Sequence, residues 1–175
     1  QKITPRMMVE LKPIERYGLV DDTWASVLSG AASAVDFLDF AKEFEAEDDL
    51  DVWTVLSGCL DRLDRLLDGE VWERYHRLLR DLYRPVLDRL GWERRESDSP
   101  RALELRGLLL RVLAITAKDP EVIPKCRILH GVYLADSSAV EPNVAAAVAA
   151  AVAANGTPGD YGGFLRRFKS AATPQ

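Results

Sequence analysis

Proline recurs at positions where a helix can begin without penalty. Ser99-Pro100, Asp119-Pro120, Glu141-Pro142 and Thr157-Pro158 each place it directly after a polar side chain. At the first helical position proline forfeits no intrahelical hydrogen bond, and Ser99, Asp119 and Thr157 can accept orphan amide protons from the turn that follows. These starts lie roughly 16 to 22 residues apart, the length of one helix and a short loop, so consecutive helices are expected to run antiparallel. No segment alternates apolar and polar residues as a half-buried strand does, whereas apolar positions recur with helical period from end to end. The chain is therefore expected to be all-α. The pattern predicts helices over 5–11, 22–29, 33–44, 49–67, 70–90, 100–117, 120–135, 142–154 and 158–171. Gly18 is expected to interrupt the first run and Asp21 or Asp22 to cap the helix after it. Pro85 falls late in the long fifth helix, where it removes an amide donor, crowds the Asp81 carbonyl and should cause a kink.

With 175 residues, 47% apolar and 29% charged, the chain fits one soluble domain able to bury a core without disulfides or metals. A net charge of -5, with arginines interleaved among acids as in Asp61-Arg62, Asp64-Arg65 and Asp88-Arg89, argues against nucleic acid as a partner. Cys59 and Cys126 lie far apart inside apolar helical patterns and read as reduced core thiols. No secretory signal or membrane span is visible. The longest apolar run, 144–154, is too short to cross a bilayer and is mostly alanine. The expected setting is cytoplasmic, and the richness in alanine and arginine suits a GC-rich bacterial genome.

A search for chemistry finds little. His76 and His130 are the only histidines. Glu73 and His76 make half of the Glu-x-x-His pattern of a helical di-iron site, but the other half is missing, since Arg127 stands three residues before His130. No serine or cysteine has an evident base partner, and with no strands there is no strand-borne phosphate loop. The acid cluster Glu43, Glu45, Glu47, Asp48, Asp49 and Asp51 lacks the ligand spacing and central glycine of a calcium loop. It reads as a charged connection whose Asp48 or Asp49 caps the next helix. Trp24, Trp53, Trp72 and Trp92 sit at helical spacing with apolar residues, as packing or junction residues do, and Val144, Val148 and Val152 form a stripe that lets a neighbouring helix approach closely. Asn155 or Gly156 is expected to take the left-handed turn ending the alanine-rich helix. Catalytic, cofactor-binding and metal-ligating residues are accordingly not assigned to this chain.

The run Pro13-Ile14-Glu15-Arg16-Tyr17-Gly18-Leu19-Val20-Asp21-Asp22-Thr23-Trp24-Ala25 resembles the opening of the helical C-terminal domain of zinc aminopeptidases related to aminopeptidase N, the puromycin-sensitive enzyme and the endoplasmic-reticulum aminopeptidases. Asp51-Val52-Trp53, Arg84 to Trp92, Leu105-Arg106-Gly107-Leu108-Leu109-Leu110 and Glu141-Pro142-Asn143 also match, in order. Ala171 to Gln175 resembles the lead into a further helix. Helix pairs of this length suit a stacked solenoid or a compact bundle almost equally. The resemblance implies the first, an armadillo- or HEAT-like α-solenoid of about eight or nine helices forming a single domain over 1–175.

By resemblance, the catalytic zinc would lie in a preceding domain, where a zinc-polarised water attacks the first peptide bond. The family's His-Glu-x-x-His and Gly-x-Met-Glu-Asn motifs do not occur here. This domain would cover the active site and form part of the peptide cavity. Its partners would be the other domains of the same polypeptide and peptide substrates. Family domains are usually longer and both ends look cut, which implies a truncated part of a larger aminopeptidase. The competing reading is a self-standing solenoid adaptor that binds a protein partner on its concave face. Glu15, Arg16, Asp22, Trp24, Glu47 and Arg106 are the signature or cavity candidates. Arg106 interrupts an apolar stretch and is expected to be partly buried, satisfying a carboxylate from the earlier helices, with Glu47 first and Glu15 or Asp22 as alternatives. The rival placement has Arg106 facing the cavity to meet a substrate carboxylate.

Overall fold

The computed structural model describes Met8 and residues 10–171, and within these residues eight α-helices follow one another with no strand. They are α1 (Pro13–Leu28), α2 (Ala34–Ala41), α3 (Leu50–Asp64), α4 (Gly69–Leu90), α5 (Pro100–Arg111), α6 (Val122–Ala135), α7 (Pro142–Ala154) and α8 (Pro158–Ser170). A π-helical turn, Val112–Thr116, prolongs α5, and 3-10 turns occupy Lys42–Phe44 and Ser137–Ala139. The helix expected over 5–11 and the lead into a further helix after Ala171 fall largely outside the described residues.

The expected starts are capped as the side chains allow. Ser33 accepts from the Asp36 amide at 3.1 Å, Asp49 from Asp51 and Val52 at 2.8 and 3.2 Å, Ser99 from Ala102 at 3.2 Å, and Glu141 from Val144 at 3.0 Å. Each such cap is worth about 1 kcal/mol. The first helix differs from expectation. α1 runs unbroken through Gly18 and starts at Pro13, where the Glu15 carboxylate accepts the Lys12 amide at 2.7 Å. Asp21 and Asp22 are therefore exposed mid-helix residues rather than caps. Glycine inside a helix costs only about 1 kcal/mol, which burial of Val20 and Trp24 on the inner face outweighs. α4, as expected from the sequence, continues through Pro85, with Leu82, Tyr83, Val86 and Leu87 buried around it. Burial of those four side chains offsets the missing amide bond.

Alternate helices form the layers of the solenoid. α1, α3, α5 and α7 pack successively side by side, while α4 and α6 lie against this row as a second layer. α4 is tied to α3 through a buried bond between Tyr83 and Ser57 hydroxyls (2.7 Å), a Tyr75 hydroxyl donated to the Leu60 carbonyl (2.7 Å) and the Trp53–Tyr83 ring pair at 4.9 Å. The alanine-rich α7 buries Val144, Ala145, Ala147, Val148, Ala151 and Val152, and its small side chains bring α5 and α7 close together. At that crossing a Cβ on Gly107 would stand 3.0 Å from the Asn143 carbonyl oxygen. At the C-terminal end of α7, neither Asn155 nor Gly156 adopts a left-handed conformation. The Asn155 side chain instead donates to the Ala114 and Ala151 carbonyls, both at 2.9 Å, and Gly156 is required because a Cβ would lie 2.5 Å from the Val152 oxygen.

Candidate functional site

The signature residues converge on joints between helices. Glu47, only 6% exposed, stands in the turn before α3 and receives the α1 guanidinium in a two-pronged contact, Arg16 Nε at 2.5 Å and Nη2 at 2.9 Å. The same carboxylate accepts the Asp48 and Asp49 amides at 3.0 and 2.9 Å, and the Glu47 carbonyl accepts Trp53 Nε1 at 3.1 Å. Arg89 of α4 donates to the Glu45 carbonyl at 2.8 Å. One acid thus closes the turn before α3, holds α1 and orients the central tryptophan. Charge-assisted, forked bonds of this kind are the strongest available to such a turn. The arrangement raises the Arg16 pKa, chiefly through the bond to Glu47.

A second joint repeats the first. Asp119, fully buried before α6, takes Arg84 of α4 through Nε at 2.5 Å and Nη2 at 2.7 Å while accepting the Glu121 and Val122 amides at 2.9 and 3.1 Å. Burial alone would raise the Asp119 carboxyl, but Arg84 and the two amides outweigh it and hold the group below its ordinary value. At a third joint Arg127 of α6 meets Asp160 in the first turn of α8 at 3.0 and 3.1 Å, while Asp160 accepts from Thr157. The three arginines precede their acids by 31, 35 and 33 residues, and each reaches the N-terminus of the next helix but one. The similar spacing of arginine and acid at three joints is easily missed in the sequence, because only two side chains carry it each time.

Arg106 corrects the expected pairing. It is 0% exposed, which removes the reading in which it meets a substrate, and its partner is neither Glu47, Glu15 nor Asp22. Nη2 donates to Asp98 at 2.6 Å and Nε to the Gly91 carbonyl at 2.8 Å, so Arg106 fastens the loop between α4 and α5. Glu47 was already claimed by Arg16, and sequence proximity placed Asp98 nearer. The Arg95 amide and Arg106 together hold the Asp98 carboxyl below its usual range. Glu15 caps its own helix, Asp22 faces solvent, and Trp24 is buried edge-on to Phe37 at 5.1 Å. Of the six candidates, Arg16 and Glu47 line a cavity.

That cavity has a volume of about 660 Å³ and is walled also by Met8, Phe44 and Arg89. A second groove, about 460 Å³, abuts it through shared Lys42 and Glu45 and extends along α4 past Arg74, Arg77 and Asp81. Sequence reasoning did not single out Arg74 or Arg77, and among the described residues neither makes an ion pair. The signal in the sequence is Arg74, Arg77 and Asp81 at helical spacing.

No group of three or more histidine, cysteine, aspartate or glutamate side chains among the described residues is placed to hold a metal, so this part of the chain does not fit a zinc site. His76 is 1% exposed, with Nε2 2.8 Å from Asp64 and the Trp72 ring against it. It links α3 to α4. Both cysteines are free and buried, and burial pushes each thiol up to about 11. No helix among the described residues is long and apolar enough to cross a membrane.

The family described as ERAP1-like C-terminal domain matches residues 1–175. Among curated proteins, Aminopeptidase M1-A of Oryza sativa subsp. japonica is 27% identical over 111 residues, which cover 60% of this chain and 12% of that protein. The chain thus corresponds to a small fraction of the length of that relative. The chain belongs to the ERAP1-like C-terminal domain family of M1 aminopeptidases.

Proposed function

We propose that this chain is part of the non-catalytic C-terminal domain of a larger, zinc-dependent aminopeptidase, and that it covers the active site and forms one wall of the peptide cavity. The observation that carries the cavity reading is the pair of abutting grooves lined by Lys42, Arg74 and Arg77. Together they make an extended, mixed-charge trough, a shape and chemistry suited to a peptide backbone with ionised ends. The signature arginines are committed to joints, so the trough rests on a fixed scaffold, as binding surfaces on solenoids do. Zinc belongs to the catalytic domain on this reading, and two buried, reduced cysteines suit a cytoplasmic setting, with a bacterial source inferred from composition.

The test uses the natural full-length polypeptide. Aminoacyl reporter hydrolysis should be abolished by chelation and restored by zinc, while the 175-residue chain alone stays inactive. Arg74→Glu with Arg77→Glu should raise KM for peptides of about ten residues at least tenfold, an effect of about 1.4 kcal/mol, with little change for the reporters. Equal effects on both substrate classes would remove the cavity role.

A further inference from the structure

A cleft of about 340 Å³ lies between α6 and α8, apart from the trough along α4, and no residue of α7 lines it. Its volume falls within the range of small-molecule sites. α6 contributes His130 and Leu134, and α8 contributes Phe164, Arg166 and Arg167. The His130 and Phe164 rings lie 5.4 Å apart and 25° from parallel, which makes one wall flat. Burial and then Arg167 lower the His130 pKa, Asp160 opposes them, and Arg127 lowers it further. The imidazole is therefore largely neutral at pH 7, and the wall it forms with Phe164 carries little charge.

The sequence of α8 works against its own helix to leave this space open. It carries three glycines, Gly159, Gly162 and Gly163, although glycine is the poorest helix former after proline. None of the three has a positive φ, so backbone conformation does not require them. Nor does packing at Gly163, where a Cβ would meet nothing within 4 Å. Gly159 and Gly163 stand one turn apart on the cleft wall, and side chains there would enter the space that His130 and Phe164 also line.

The charges select the ligand. Asp160 also lines the cleft, but its carboxylate accepts from Arg127 at 3.0 and 3.1 Å and from the Thr157 amide at 2.7 Å. Arg166 and Arg167 form no ion pair among the described residues. Two guanidiniums beside an apolar wall match a carboxylate fork attached to a hydrophobic body. We propose that the cleft between α6 and α8 binds a small organic anion, a carboxylate carried on a flat apolar body, with the carboxylate at Arg166 and Arg167 and the body against Leu134, His130 and Phe164.

The test is isothermal titration calorimetry of the full-length polypeptide with 2-naphthoate as the probe. One equivalent should bind with a Kd of about 1 mM or tighter. 2-Naphthamide, which keeps the rings without the charge, and inorganic phosphate, which keeps the charge without the rings, should each bind about tenfold more weakly or worse. Gly163→Leu, which fills the cleft and leaves its charge alone, should weaken 2-naphthoate binding about tenfold while the urea midpoint holds or rises. Arg166→Gln with Arg167→Gln, at exposed positions, should weaken it by a similar factor. Absence of binding, equal binding of the amide or of phosphate, or undiminished binding in either variant would overturn the proposal. Calorimetry reads binding without hydrolysis, so a missing site leaves the peptidase reading intact, and a polypeptide that fails to hydrolyse reporters leaves the site intact.

Discussion

Removing the Glu47 carboxylate by Glu47→Ala should be among the most damaging single changes in the first half of the chain. It deletes both forked bonds from Arg16 and leaves the Asp48 and Asp49 amides without acceptors. Breaking a buried ion pair by removing one partner costs about 3–5 kcal/mol. The Arg16 side chain retains 14% exposure and can recover some hydration, so the expected loss sits at the low end, about 3 kcal/mol. For a domain of this size that corresponds to a fall in Tm of about 6–12 °C. Urea unfolding followed by far-ultraviolet circular dichroism should show a lower midpoint at unchanged slope. The double variant Arg16→Leu with Glu47→Leu removes the uncompensated charge, and should be more stable than the sum of the single variants predicts by about 2 kcal/mol. A loss under about 1 kcal/mol in Glu47→Ala, or strict additivity in the double variant, would refute the view that this pair fastens α1 to α3.

Two glycines offer a matched comparison. Gly58→Ala, in α3 with open space around it, should stabilise by about 0.5–1 kcal/mol in urea, whereas Gly107→Ala should lose that gain against Asn143 and Gly107→Val should cost about 2 kcal/mol. Asp160 is held down to about 2, first by the Thr157 amide and then by Arg127. A carboxyl depressed in the folded state contributes stability above its unfolded value, near pH 4, and that contribution is lost as pH falls through about 2. Hydrogen exchange of the α8 amides should therefore rise over that window, and Asp160→Asn should show the raised exchange already at neutral pH. With both thiols pushed up to about 11 and buried, Cys59 and Cys126 should react with an aromatic disulfide reagent at pH 8 only after urea is added. Rapid labelling of the folded chain would contradict their placement.

Helix starts were legible because capping is local. Ser33, Asp49, Ser99, Glu141 and Thr157 act on amides within three residues, so their role follows from neighbours in the chain. Gly18 misled for the opposite reason, since its propensity is weaker than the packing of Val20 and Trp24 that no short window contains. The π-helical turn at Val112–Thr116 was equally invisible. The Ala114 and Ala117 carbonyls nearby are satisfied by Asn155 and Arg80, 41 and 37 residues away. In the candidate site, a buried arginine at 106 could be foreseen from its apolar surroundings, but its partner could not. Several acids were chemically equivalent in sequence, and the fold chose Asp98.

By itself, then, the sequence determined an all-helical chain, the places where most helices begin, two reduced thiols and the absence of a recognisable catalytic motif. These follow from periodicity, capping and composition, which act over one or two helical turns. Only the tertiary structure decided which arginine meets which acid, because a guanidinium on one helix reaches a capping carboxylate 31 to 35 residues later only after the intervening helix has folded aside. It also decided where open surface remains, in the mixed-charge trough that runs along α4 and on the outer face of α8. Exposure is set by the arrangement of all the helices together, and so cannot be read from any one of them.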